Sequence, residues 1–172
     1  MYGRGLHLPF LFHPHKEETA DMKKIASFTV DHYKVGKGMY ISRIDGDVIT
    51  YDVRMKIPNG GDYLPYAAAH TIEHLFATFA RNTGAADSVI YVGPMGCRTG
   101  FYFLVRDGIS HGEAINIVRD SMKFIAAFEG EIPGVSRKEC GNYLEHDLTS
   151  AKEIAADMAA VLENWTEEKL NY

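Results

Sequence analysis

The chain has 172 residues, enough for one domain with a substantial core, and its 46% hydrophobic and 24% charged content is that of an ordinary globular protein. A net charge of −5 argues against a nucleic-acid or anionic-membrane partner, and no apolar run approaches the ~20 residues a bilayer span needs. Its two cysteines, Cys97 and Cys140, are too few for a disulfide framework, and no secretory leader pattern is present, so a cytoplasmic protein is expected.

Residues 1–21 show no hydrophobic period, and Met22 opens a fresh start, MKKIASFTVDH. The stretch 1–21, with His7, His13 and His15, is therefore expected to be a disordered leader or upstream extension, leaving 22–172 as a single domain. GMYISRI (38–44) and DVITYDVRMKI (47–57) carry β-branched and aromatic residues in near-alternation and are joined by Asp45-Gly46, a strong hairpin signal. PNGGDYLP (58–65) is a loop by composition. AAAHTIEHLFATFARN (67–82) has apolar residues at helical spacing and Gly84 as its stop, with Arg81 expected to serve the helix dipole. SVIYVGPM (88–95) and TGFYFLVR (99–106) read as two more strands. SHGEAINIVRDSMKFIAAFEG (110–130) reads as a second helix capped by Ser110, with His111 in its first turn needing no functional account. A third helix is expected over 149–168 with Thr149 or Ser150 as cap. A strand hairpin followed by strands mixed with helices predicts an α+β fold, an antiparallel sheet with helices packed on one face.

The chemistry concentrates in HTIEH, residues 70–74. Positions i and i+4 of a helix share a face, so His70 and His74 can point at one ion with Glu73 beside it as a proton-transfer group. A catalytic divalent-metal site needs about three protein ligands and one open position. Cys140 is the best candidate for the third, since it sits in the polar loop KECGNY, where a core cysteine is less expected. Two nitrogens, one thiolate and a vacancy suit Zn²⁺ or Fe²⁺. Cys97 lies in the glycine-rich GPMGCRTG with Arg98 following directly, a setting in which a nearby cation or metal favours the thiolate. Arg54 lies in a strand, where a buried cation needs a substrate carboxylate or a carboxylate side chain as partner.

These motifs, SFTVDH (27–32), DVITYDVRMKIPN (47–59), HTIEHLFATFARN (70–82), GPMGCRTGFY (93–102) and ECGNYLEHDL (139–148), resemble in order and spacing the S-ribosylhomocysteine lyase (LuxS) family. The resemblance runs from Ser27 to about Leu162 and implies a catalytic domain of LuxS-like α/β sandwich fold. It implies cleavage of the thioether of S-ribosylhomocysteine to homocysteine and 4,5-dihydroxy-2,3-pentanedione, a quorum-sensing precursor. It further implies Fe²⁺, replaceable by Zn²⁺ or Co²⁺, on His70, His74 and Cys140. The implied acid/base pair is Glu73 and Cys97, the implied substrate contacts are Ser27, His32 and Arg54, and the implied assembly is a homodimer. His146 in LEHDL also matches but is left without a role. One departure stands out: many members carry a substrate-contacting aspartate six residues before the catalytic cysteine, where this chain has Tyr91.

Moving a carbonyl along a sugar by proton shifts needs charge stabilisation at oxygen and two well-placed bases, which a metal, a thiolate and a carboxylate provide. No nicotinamide or flavin fingerprint is present. HTIEH also fits the inverted zinc-peptidase motif H-x-x-E-H, for which Glu145 or Glu153 would have to supply a further ligand. That reading gives no role to GPMGCRTG or Cys140. A non-catalytic metal-binding module on the same scaffold is the third reading, and the Tyr91 departure is its support.

Overall fold

Strands β1 (Gly38–Asp45) and β2 (Val48–Arg54) form the expected hairpin, with Asp45 paired to Val48 across a two-residue turn. Gly46 opens that turn at φ +62°, a left-handed conformation that costs glycine nothing because it has no Cβ. Strands β3 (Val89–Pro94) and β4 (Gly100–Arg106) form a second antiparallel pair, and β4 also pairs with β2. The sheet therefore runs β1-β2-β4-β3 with every neighbour antiparallel. Among the described residues three α-helices accompany it, α1 (Tyr66–Ala80), α2 (His111–Ala127) and α3 (Leu148–Leu162). This computed structural model describes residues 28–172, so the expected leader and Ser27 lie outside the described residues.

The two-residue period of the strands decides which face the helices cover. Ile49, Tyr51 and Val53 of β2 and Phe101, Phe103 and Val105 of β4 share one face and are buried. They belong to the same apolar cluster as Ile72, Leu75 and Phe76 of α1, Val118 and Met122 of α2, and Met158 and Leu162 of α3. Phe76 packs its ring 5.5 Å from that of Phe103. Burying a phenylalanine of this kind is worth roughly 1.5–3 kcal/mol relative to exposure. The α+β expectation, with helices on one face, holds.

The opposite face is different in kind. Thr50, Asp52 and Arg54 point there from β2, and the residues opposite Asp52 on its two neighbours are tyrosines, Tyr40 on β1 and Tyr102 on β4. Asp52 and Arg54 are nonetheless only 1% and 3% exposed. Part of their cover comes from the C-terminal tail. Trp165 Nε1 donates to Met39 O at 2.9 Å, and Ile41 N donates to Leu170 O at 2.7 Å, so the tail runs along the free edge of β1. Gly38 permits this approach, because a Cβ there would stand 2.2 Å from the Trp165 ring.

Element ends shift for local reasons. β2 stops at Arg54 rather than residue 57, because Met55 N and Lys56 N both donate to Thr99 O and end the regular ladder. Arg81 stands at the C-cap of α1, and its Nη2 also donates to Ile90 O at 2.9 Å and ties the helix end to β3. The third helix begins at Leu148 and is capped by Asp147 instead of Thr149 or Ser150, since Asp147 accepts from Ser150 N at 3.0 Å and from Ser150 Oγ at 2.6 Å. Aspartate is as good an N-cap as serine and better than threonine, and here it arrives first. The same helix ends at Leu162 instead of 168, where the chain turns to dock Trp165 on Met39. No helix among the described residues is long and apolar enough to cross a membrane.

Candidate metal centre

His70 and His74 stand one turn apart on α1, with ring centroids 4.7 Å apart and planes almost perpendicular. Each ring is fixed by its Nδ1: that of His70 lies 2.9 Å from Glu145 O, and that of His74 lies 2.7 Å from Pro133 O. A backbone carbonyl only accepts, so both rings carry the Nδ1 proton and turn an Nε2 lone pair outward. This is the arrangement that orients an imidazole for a metal. Gly134, next in the chain, takes a left-handed φ of +75°, which glycine adopts without cost and which turns the loop beside the His74 ring.

The long return between α2 and α3 closes over these rings. Cys140, half-buried, brings its Sγ to 3.3 Å from His70 Nε2 and accepts from Asn142 N at 3.4 Å. His146 stacks on His70 with centroids 4.1 Å apart and lies 4.9 Å from the ring of His74. Thr71, fully buried on α1, is the anchor for this segment: its hydroxyl donates to Ala67 O and accepts from Asp147 N. That hydroxyl has one proton, already used, so His146 Nδ1, 3.2 Å away, must be the donor to it. His146 Nε2 is then an acceptor, and it is buried without a hydrogen-bond partner. Burial, with His70 and His74 adding to it, pushes the His146 ring below the usual imidazole range.

One ligand atom from each of His70, His74, Cys140 and His146 lies within 4.8 Å of the others, so the group could hold a metal ion. The donor chemistry fits a cation: imidazole lone pairs aimed inward, a thiol able to ionise, and an orphaned buried nitrogen. Among the described residues no carboxylate joins the cluster. Glu145 instead accepts from Asn142, and Glu153 is exposed on α3, so the peptidase reading lacks its further ligand. Sequence reasoning left His146 and Thr71 aside. Both lie inside matched motifs, His146 in LEHDL and Thr71 in HTIEH, but their meeting depends on a loop folding back across α1.

Cys97 sits on the other side of a tight turn. Met95 N donates to Gly100 O and Arg98 N donates to Met95 O, which closes the β3–β4 connection. Arg98 adopts a left-handed φ of +57° and sends its guanidinium over the Tyr66 and Tyr63 rings, 4.8 and 5.6 Å from their centroids. The cation beside Cys97 is therefore not its sequence neighbour Arg98. It is Arg54, whose Nη1 lies 3.9 Å from Cys97 Sγ and donates to Thr99 Oγ1, itself 3.0 Å from the same sulfur. Arg54 Nη2 pairs with Asp52, so the buried cation finds its partner in a carboxylate side chain.

Beside the cavity of about 480 Å³ that His70, Glu73, His74 and Cys140 line, site residues meet in two adjoining cavities. One of about 240 Å³ is lined by Cys97, Arg54, His32, Asp52 and Tyr172, and one of about 350 Å³ by His70, Glu73, Arg98 and Glu145. Met95 and Gly96 line both and form the wall between them. Tyr91 lines neither; it is half-exposed on β3 and folds over Gly93, where a Cβ would meet its hydroxyl at 2.1 Å. Ser27 lies outside the described residues.

A four-stranded antiparallel sheet under a helix that offers two histidines and faces a loop cysteine defines an α+β protein with a side-chain cluster able to hold a metal ion. Residues 25–169 match the family model described as S-Ribosylhomocysteinase (LuxS), and the chain belongs to that family. It is 46% identical over 156 residues to the S-ribosylhomocysteine lyase of Clostridium acetobutylicum, covering 88% of this chain and 99% of that protein. The lyases of Phocaeicola vulgatus and Desulfotalea psychrophila are 45% and 46% identical over 157 residues, covering 88% of this chain and 98% and 99% of theirs.

Proposed function

We propose that the chain is a carbon–sulfur lyase that cleaves S-ribosylhomocysteine to homocysteine and 4,5-dihydroxy-2,3-pentanedione, the quorum-sensing precursor. The observation that carries this reading is the convergence of His70, His74 and Cys140 in a chain of this family. A divalent ion held by these three residues, Fe²⁺ with Zn²⁺ or Co²⁺ as replacements, would supply Lewis-acid polarisation of substrate oxygens. Thr71 and the carbonyls of Pro133 and Glu145 keep the donor atoms oriented.

Proton movement falls to Cys97 and Glu73. Cys97 is exposed and has the Arg54 guanidinium 3.9 Å from its sulfur, so it can reach a substrate in the cavity with a cation beside it. Glu73, between the two histidines on α1 and lining the neighbouring cavity, serves as the second acid/base group. A carbonyl shift between adjacent carbons and the final loss of the thiol ask for bases on different sides of the substrate, and the wall of Met95 and Gly96 separates these two groups in that sense. Arg54 gives Nη1 to Thr99 and Nη2 to Asp52 and keeps a buried Nε without a hydrogen-bond partner, so it serves as a substrate contact as well as the cation beside Cys97. His32, with its Nδ1 3.0 Å from Val30 O, lines the Cys97 cavity as a substrate contact, and the family resemblance makes Ser27 a further one. Exposed aromatic side chains at Phe28, Tyr33 and Tyr66 suit a homodimer with the active sites near its interface, in a cytoplasmic protein.

Incubating metal-loaded protein with S-ribosylhomocysteine and titrating released thiol tests the proposal. Steady thiol release that Cys97→Ala abolishes is expected. Absence of release from metal-loaded wild type would favour the non-catalytic module.

A further inference from the structure

Tyr172 ends the chain, yet its hydroxyl donates to Asp52 Oδ2 at 2.8 Å, 120 positions away. Its ring stacks on Tyr40 with centroids 5.0 Å apart, and it lines the cavity that holds Cys97. The tail that delivers it is anchored by Leu170, which is 1% exposed, and by Trp165 on Met39 O. Asp52 Oδ2 also takes Arg54 Nη2, while Asp52 Oδ1 is buried with no hydrogen-bond partner. The orientation of the carboxylate thus depends on what Oδ2 receives, from Arg54 on one side and Tyr172 on the other. A continuous line of contacts runs Tyr172–Asp52–Arg54–Thr99–Cys97.

We propose that Tyr172 is a positioning residue of the catalytic pocket: by donating to Asp52 while stacked on Tyr40, it holds the carboxylate so that Arg54 is aimed at Cys97. The inference rests on Cys97 being the proton-transfer thiol of the lyase. Without the phenolic donor, the Asp52 charge falls more heavily on Arg54, less of the guanidinium field reaches the sulfur, and the thiol becomes harder to ionise. Burial, and then the Asp52 charge, push the Tyr172 phenol well above its ordinary range, so it stays a protonated donor. The polar groups facing Cys97 are Arg54 and Asp52 from β2, Ser42 from β1, which also bonds the Tyr172 side chain, Tyr102 from β4, Thr99 just before it, His32 from the N-terminal segment and Tyr172 from the tail. Of these, Tyr172 is the one delivered by the C-terminal tail.

The test is alkylation of Cys97 by iodoacetamide across about pH 5 to 9, read by peptide mass mapping on full-length, metal-loaded protein, where thiolate fraction sets the rate. Tyr172→Phe keeps the ring and is expected to raise the pH midpoint by roughly half to one unit and slow alkylation at neutral pH about 3- to 10-fold. A chain ending at Asn171 should shift the midpoint at least as far. In an Asp52→Asn background, Tyr172→Phe should add nothing, since the contact line is already cut. A wild-type midpoint in Tyr172→Phe overturns the proposal, whatever the shortened chain does. Failure of the lyase reading shows separately, as no thiol release from substrate by wild type.

Discussion

Arg54→Met strands a charge where water cannot reach it. The side chains of Arg54 and Asp52 are 4% and 2% exposed and pair directly across the outer face of the sheet. Removing one member of such a pair costs about 3–5 kcal/mol, because the other is left buried and uncompensated. Asp52 would keep the Tyr172 hydroxyl, a bond of about 1 kcal/mol, which brings the expected loss to about 3 kcal/mol. For a chain of this size roughly 2–4 °C of melting temperature accompanies each kcal/mol, so the variant should melt about 6–12 °C below wild type. Methionine fills much of the volume of the arginine stem, so the deficit reports charge rather than a cavity. The control is Asp52→Leu with Arg54→Met, which removes the stranded charge and should recover at least half of the deficit. Thermal melts of the metal-loaded proteins at neutral pH decide it. If Arg54→Met melts within about 2 °C of wild type, or the double variant melts lower still, the buried-pair account is wrong.

Three further outcomes are expected. Cys140→Ala should lose its metal by elemental analysis of the purified protein, whereas Cys97→Ala should retain metal and lose thiol release, because only the first sulfur lies in the histidine cluster. Asp147→Ala removes the cap of α3 and should cost about 1 kcal/mol by denaturant titration. The Ser150 hydroxyl and then the Ser150 amide hold the Asp147 carboxyl below the usual carboxylate range. Its folded value is therefore the depressed one, so its contribution is present above the ordinary carboxylate value, about 4, and fades as pH falls through the lower folded value. The gap between wild type and Asp147→Ala should accordingly be full at neutral pH and close in strong acid. Gly38→Ala places a Cβ 2.2 Å from the Trp165 ring and should expel it, with a loss of about 1–3 kcal/mol and a red-shifted tryptophan emission. Unchanged emission would mean the tail docks in another way.

Much of the scaffold was legible because it is local. Asp45-Gly46 announces its hairpin through the glycine backbone, and the apolar spacing of α1 and α2 follows from burying one face of each. Boundaries moved where distant partners intervened: Thr99 O ends β2, and Met39 O draws Trp165 out of α3. His111 illustrates the limit, since nothing in its helix start hints that its Nδ1 lies 2.6 Å from the hydroxyl of buried Tyr51. Burial pushes that tyrosine up to about 12, so its hydroxyl stays protonated beside the ring.

The residues of the metal centre divide in the same way. His70 and His74 share a helix turn, so their common direction is a property of four consecutive peptide units and can be read from HTIEH alone. Cys140 could be nominated by its chemistry, but only the folded loop carries it across 70 positions to His70. Arg98 was the nearest cation to Cys97 in the chain, and its left-handed backbone sends it to Tyr66 instead, leaving Arg54 from another strand in its place. Spacing within one helix or hairpin is fixed by backbone geometry and is therefore written in the sequence. Which charge faces which sulfur, and whether the last residue closes a pocket, depends on long-range packing that no local pattern encodes.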